Sequence, residues 1–520
     1  MAKGLIRSGL WFSAMTLVSR ILGLVRDVVI ANILGATAAA DVFLLANKIP
    51  NFLRRLFAEG AFAQAFVPVL VEYKEGKSID ETKLLIAKVA GTLGTLVFIT
   101  TILGVIGSPL VIALFGTGWF LDWLYDGNGA GADKYLLASS MLKITFPYLF
   151  FVALTALAGA ILNTWGKFGA AAFTPVLLNI SMISLAVFGA DHFSEPAYAL
   201  AWGVFFGGFL QLFFQIPFLK KAGVIVKPQW GWNDAGVKKI RLLMIPALFG
   251  VSVSQINLLF DTVLASFLQT GSISWLYYAD RLLEFPLGLF GIAIATVILP
   301  QLSKDHVKSS PESFQNTMSW GVLMVVLLGL PSSIGLILLA EPMLMVLFMR
   351  GEFTALDAAQ SQSSLIAYAS GLLFFMLIKV LASGFFSRQD TKTPVKIGIQ
   401  AMVANMVFNL ALIFPLQHAG LALATTLSAL MNASLLYYHL NKLGVFVITL
   451  ELRNLLIRIV LAVIAMSACL YVLIPSSADW LSFSQLERIS YLTIYIGLGG
   501  GIYLLSLFMI GFRPRHIKAK

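Results

Sequence analysis

Of the 520 residues, 59% are hydrophobic and 12% charged, and the mean hydropathy is +0.88. A soluble domain carries about 25% charged residues, so a soluble globular or disordered chain is excluded, and the repeated apolar runs read as helices that cross a bilayer. The single cysteine, Cys469, excludes an intrachain disulfide and a multi-cysteine metal site. The net charge of +11 reads as the basic bias of cytoplasmic loops, with no call for nucleic acid.

The pattern predicts an all-α polytopic membrane protein with fourteen spans near 8–34, 40–72, 83–116, 135–163, 169–190, 196–219, 237–268, 272–302, 314–340, 357–386, 393–414, 418–440, 453–474 and 487–511. The start, MAKGLIRSGLWFSAMTLVSR, is basic, lacks a small-residue cleavage site and reads as a retained first span. Several spans exceed the roughly 20 residues needed to cross, so they tilt, kink or project. Pro50, Pro68, Pro246, Pro286 and Pro300 are the expected kink sites, because proline removes a ladder hydrogen bond.

Alternate loops differ in charge. One set holds Lys3 and Arg7, Lys74 to Lys83, Lys167, Lys220 to Lys239, Lys304 and Lys308, Arg388 to Lys396, Lys442 and Arg453, and the basic tail. The other holds Lys134, Arg350 and Arg488 beside several acids. The positive-inside rule then places both termini in the cytoplasm, which requires an even number of spans.

An internal repeat is visible. RDVVIANILGA (26–36) resembles FDTVLASFLQT (260–270), and ALAGAILNTWGKF…TPV echoes VLASGFFSRQDTKTPV at a similar offset of about 220–235 residues. Six crossings per repeat give two pseudo-symmetric lobes, 1–220 and 221–442, followed by two extra helices in 443–520, as in transporters built from parallel repeats.

Ionisable residues crowd the first two spans. A charge at bilayer depth costs about 2.5–3.5 kcal/mol on insertion scales, so such residues face a bundle interior or a watery cavity. Asp41, Lys48, Asn51, Arg55 and Glu59 are spaced to line one helical face. Arg55 and Glu59 form an i, i+4 pair that reads as structural, whereas Arg54 points about 100° away and is freer to meet a ligand. Arg20 and Asp27 share a face seven residues apart, and span eight adds Tyr277, Asp280, Arg281 and Glu284. Embedded cations (Arg20, Arg26, Lys48, Arg54, Arg55, Arg281, Lys379) nearly balance embedded anions (Asp27, Asp41, Glu59, Asp261, Asp280, Glu284). Distribution says more than net charge, because five of the cations fall in the first two spans against three anions. Planar arginine forks there suit a phosphate or pyrophosphate. Internal ion pairing without a ligand is the competing reading. No HExxH, Walker-type loop or metal-binding carboxylate motif is present, so no residues stand out for hydrolysis or ATP-driven chemistry.

The run SRILGLVRD…DVFLLANKIPNFLRRLFAEGAFAQAFVPVLVEY resembles the MurJ (MviN) family of bacterial lipid II flippases, within the multidrug/oligosaccharidyl-lipid/polysaccharide (MOP) exporter superfamily. KITFPY (143–148), GAILNTW (159–165), GVSVSQI (250–256), WLYYADRLLEFP (275–286) and SRQDTKTPVKI (387–397) extend the likeness over nearly the whole chain. The resemblance implies a V-shaped pair of six-helix lobes, with the last two helices lining a groove for a polyprenyl tail. It implies alternating-access flipping of lipid II, an undecaprenyl-pyrophosphate-linked disaccharide-pentapeptide, towards the periplasm for cell-wall synthesis. The chain would be a monomeric transporter of the bacterial inner membrane in contact with membrane lipids, with no enzyme activity and no cofactor. The family's functional positions match Arg20, Arg26, Arg54 and Arg281, with Asp41, Ser274 and Glu284 in support. Lys48, Arg55, Glu59, Asp280 and Lys379 are structural or coupling charges. Some members bind sodium in the second lobe, and Asp234 and Asp390 match part of that site. Phe386 stands where a polar ligand is expected, which leaves the set incomplete. An exporter of another polyprenyl-pyrophosphate-linked glycan, or of drugs, on the same fold is the alternative; a drug exporter would call for acidic and aromatic cavity residues.

Overall fold

A segment inside a bilayer must bond every backbone N–H and C=O within itself, which a helix does. The computed structural model accordingly holds helices and no strand among the described residues, which are 2–55, 62–127, 129–308 and 310–517, with side chains described except at 2–14, 16, 246, 247 and 249–254. The chain divides into two compact units, Met1–Ser274 and Trp275–Lys520.

The first unit contains α1 (Ala2–Leu34), α2 (Ala38–Leu53), α3 (Phe62–Gly76), α4 (Ile79–Ile106), α5 (Ser108–Phe115), α6 (Thr117–Tyr125), α7 (Ala130–Thr145), α8 (Tyr148–Thr164), α9 (Phe168–Gly189), α10 (Ala197–Lys221) and α11 (Ala235–Ala265). Helix α12 (Ser272–Pro286) starts at its end. Helix starts follow local chemistry. Thr37 accepts from the Ala40 N–H to open α2, and a reciprocal Ser78–Glu81 capping box opens α4. The third and fourth expected spans are each two helices. The third breaks at Gly107, and the fourth breaks at Pro147, which has no N–H and disfavours helix in the residue before it. Helices α9 and α10 approach closely because Gly203 and Gly207 lie one turn apart on α10. A Cβ at Gly203 would sit 2.9 Å from the Met182 Cα, and one at Gly207 would sit 2.6 Å from Leu178 Cδ1. Under α3, α4 and α8, a core of Phe62, Phe66, Leu70, Leu85, Val89 and Ile161 also takes in Val224 from the segment after α10.

The second unit continues with a π turn over Leu287–Gly291, then α13 (Ile292–Val307), α14 (Pro311–Leu338), α15 (Ala340–Phe348), α16 (Ala355–Ala369), α17 (Leu372–Phe386), α18 (Lys392–Lys442), α19 (Leu450–Leu473), α20 (Ser477–Ser482) and α21 (Gln485–Met509). Among the expected kink sites, Pro286 ends α12 at the π turn, and Pro50 precedes a π turn at residues 54 and 55. The helices run on through Pro68, Pro246 and Pro300. Buried Asp305 ties α13 to α14 by accepting from Gln301 Nε2 at 3.0 Å, Ser313 Oγ at 3.0 Å and Thr317 Oγ1 at 2.7 Å. The C-terminal helices pack on α14, where Tyr503 donates to the Leu327 carbonyl at 2.7 Å.

Ten helical stretches among the described residues are long and apolar enough to cross a membrane. One of them, Lys392–Lys442, has 51 residues and is interrupted at Gln417, whose φ of 49° and ψ of −128° are not helical. Treating its halves separately gives eleven, and α1, α2 with α3, and α11 lie where the other three expected spans fall, which is consistent with fourteen.

Candidate functional site

In the first unit, the charges of the first two expected spans fall into four groups. Arg20 is exposed on α1 and makes no hydrogen bond or ion pair among the described residues. Arg26 is half-buried and gripped. Its Nε and Nη2 donate to Asp27 Oδ1 at 3.0 and 2.7 Å, and its Nη1 donates to Asn179 Oδ1 on α9 at 3.0 Å. Asn179 is oriented in turn by donating to the Ser19 carbonyl at 3.1 Å. The shared face expected of Arg20 and Asp27 is therefore split: Asp27 is 3% exposed beside α9 whereas Arg20 faces out.

The third group departs from helical-wheel reasoning. The α-helical register of α2 ends at Leu53 and a π turn covers Arg54 and Arg55. Pro50 cannot donate to the ladder there, which loosens the register. Arg54, expected to point away from the polar face, instead donates from Nε to Asn51 Oδ1 at 3.2 Å. Asn51 continues the ladder by donating to the Asn47 carbonyl at 2.8 Å. Arg55, expected on that face, is exposed and Lys48 is half-buried. Glu59 lies outside the described residues, and with it the expected Arg55–Glu59 pair.

Asp41 is 2% exposed near the start of α2. Its Oδ2 accepts from the Gly271 N–H at 2.7 Å, and its Oδ1 accepts from the Ser274 N–H at 2.9 Å and from Ser274 Oγ at 2.7 Å. Gly271 immediately precedes α12 and Ser274 lies in its first turn, so the carboxylate caps that helix across 230 residues of sequence. Ser274 is itself fully buried, and the two residues are engaged with each other. Close by, Ser266 Oγ accepts from the Gly118 N–H at 2.9 Å.

In the second unit, half-buried Arg281 donates from Nη1 to Glu284 Oε2 at 2.8 Å and lies 4.8 Å from the Tyr277 ring centroid. Asp280 is half-buried beside them, and Lys379 on α17 is exposed. The two acids considered for sodium have separate surroundings. Burial pushes the Asp234 carboxyl up, but the bond from Lys88 Nζ at 2.6 Å and the N–H groups of Val237 and Gly236 outweigh it and hold its pKa below the usual aspartate value. Asp390 accepts from the Thr393 N–H at 3.0 Å, and Phe386 is exposed.

Some residues escaped sequence reasoning. Lys134, placed in a polar loop, is 5% exposed in α7, with Nζ 5.6 Å from the Trp119 ring and Asp41 and Asp122 among its charged neighbours. Lys143 is exposed in the midst of the apolar stretch Ala130–Thr164 and was visible as a charge inside a span. Asn179 was legible only as a polar residue within an apolar run.

The all-helical, multi-span fold that carries these buried caps and arginine forks is shared with known proteins. A family model described as lipid II flippase MurJ matches residues 30–491. The chain belongs to the lipid II flippase MurJ family. A Vibrio cholerae protein named probable lipid II flippase MurJ is 59% identical over 100% of this chain and 98% of that protein. A solved structure described as lipid II flippase MurJ, inward closed conformation, has a TM-score of 0.80 at 28% identity, over 96% of this chain and 98% of the other. An inward-facing multidrug resistance MATE family transporter of the MOP superfamily matches with a TM-score of 0.66 at 12% identity, over 86% of this chain and 98% of the other, and shares the fold alone. The chain is thus a multi-pass membrane protein of a transporter family.

Proposed function

We propose that the chain moves lipid II from the cytoplasmic to the periplasmic leaflet of the bacterial inner membrane by alternating access. The observation that carries this reading is the family match over residues 30–491, joined to 59% identity along the whole chain. Arginines on apolar helices support it, because a guanidinium fork suits a pyrophosphate.

Arg20, Arg54 and Arg281 receive the anionic headgroup, with Arg20 exposed on α1. Arg26 holds a fixed place, since Asp27 and Asn179 determine its orientation. Lobes 1–220 and 221–442 rock against each other while 443–520 lines the path of the lipid tail, and both termini stay in the cytoplasm. In that division Asp41 and Ser274 belong to different lobes. Their buried bonds form a latch at the periplasmic ends of α2 and α12 that outward opening must release. The working unit is one chain, with no enzymatic step. Potential or ion gradients supply the driving force.

The test is flipping of lipid II in proteoliposomes under an imposed potential or a sodium gradient. Transport that fails with Arg20→Ala or Arg54→Ala, in protein that still inserts, supports the site. Failure of the unaltered protein to move lipid II under either gradient overturns the function, and full activity of both variants overturns the pyrophosphate role.

A further inference from the structure

The segment between α10 and α11 is an ordered strap laid across α4. Its inward residue Val224 enters the core, while Ile225, Lys227, Trp230 and Trp232 are exposed. Backbone and side-chain bonds fix its path. The Gln229 N–H donates to the Ala87 carbonyl at 2.9 Å, the Gly231 N–H donates to Thr92 Oγ1 at 3.0 Å, and Lys88 pairs with Asp234. The approach is so close that a Cβ on Gly91 would lie 2.1 Å from the Gln229 oxygen.

This anchoring presents a preformed aromatic and basic surface. The Trp230 and Trp232 rings stack at 6.1 Å and 10°. The Arg241 guanidinium lies 3.7 Å from the Trp232 ring centroid and donates from Nη2 to the Trp232 carbonyl at 2.9 Å. Exposed Lys220, Lys221, Lys227 and Lys238 flank the pair, while the strap's acid, Asp234, is neutralised by Lys88.

The depth of the strap follows from α4. Its 28 residues span about 42 Å at 1.5 Å per residue, about 12 Å more than the hydrocarbon core. The surplus belongs to the Ile79 end, where Asp80, Glu81 and Lys83 lie, because the other end runs on into apolar α5. Ala87 is about 12 Å along α4 from Ile79, so the strap crosses at the boundary between headgroups and acyl chains. Tryptophan is enriched at that level, and basic residues there attract anionic lipid.

We propose that the strap, with Trp230, Trp232, Arg241 and Lys238, is a docking site for the headgroup of an anionic phospholipid at the basic face of the membrane. The indoles seat at the glycerol level, and Arg241, held flat on Trp232, meets the phosphate with Lys238. This site serves a bilayer lipid and is independent of the cargo reading.

The test uses the full-length protein in mixed micelles with brominated phosphatidylglycerol or brominated phosphatidylcholine. The tryptophan fluorescence lost to quenching is compared between the native chain and Trp230→Phe/Trp232→Phe, which isolates these two rings among the ten tryptophans. Their share should be quenched at about threefold lower concentration of phosphatidylglycerol than of phosphatidylcholine. Arg241→Gln/Lys238→Gln, which removes the two cations and leaves both tryptophans in the sequence, should bring the ratio close to one. Equal quenching by both lipids in the native chain, or an unchanged ratio in the charge variant, overturns the proposal.

Discussion

Replacing Asp41 probes the buried cap directly. The carboxylate accepts three hydrogen bonds of 2.7–2.9 Å from Gly271 and Ser274 with 2% of the residue exposed, so water cannot substitute for it. A hydrogen bond to a charged group contributes about 1.5–3 kcal/mol, and an orphaned buried donor costs about 1–3 kcal/mol. Asp41→Asn keeps one acceptor oxygen but turns an amide N–H₂ towards a donor and removes the charge at the helix start, a change worth about 2 kcal/mol. Asp41→Ala removes every acceptor and should cost about 3–5 kcal/mol. Ser274→Ala deletes only the hydroxyl bond, for about 1.5 kcal/mol. Because Asp41 and Ser274 touch, the double variant should be less destabilised than the sum of the singles, with a coupling of about 1–2 kcal/mol. Reversible denaturant unfolding in mixed micelles, followed by intrinsic fluorescence, supplies all four corners of the cycle. Additive effects, or an Asp41→Ala chain as stable as the native one, would refute the cap.

Further outcomes follow from the same geometry. Arg26→Lys keeps the charge but cannot reach both Asp27 and Asn179 as the guanidinium does, and initial rates of lipid II movement should fall about tenfold. The Asp234–Lys88 pair predicts an acid dependence. The folded-state pKa of Asp234 lies below its ordinary value of 3.8, so its stabilising effect is complete above that value and is lost as pH falls below it. The stability gap between native chain and Asp234→Asn, about 1 kcal/mol at neutral pH for a partly exposed pair, should therefore close at strongly acidic pH in unfolding curves. Gly91→Leu drives a side chain into the Gln229 backbone, and limited proteolysis should then cut within residues 222–234 at least several-fold faster.

Sequence alone determined what depends on local periodicity and composition. Apolar runs and loop charge are properties of neighbouring residues, and the helices follow them because a bilayer leaves the backbone few alternatives. Arg20, Arg26 and Arg54 were legible as costly charges inside apolar spans. Their surroundings were not. Asn179 meets Arg26 across 153 residues, and Asp41 meets the start of α12 across 230. Periodicity assigns a face to a helix but does not choose which distant helix covers it. The π turn at Arg54 and Arg55 brought Arg54 back onto Asn51, because a change of register after Pro50 rotates the two side chains that follow Leu53. Only the tertiary structure made Lys134 a buried cation, and only its bonds to α4 turned the segment after α10 into a strap presenting two stacked tryptophans.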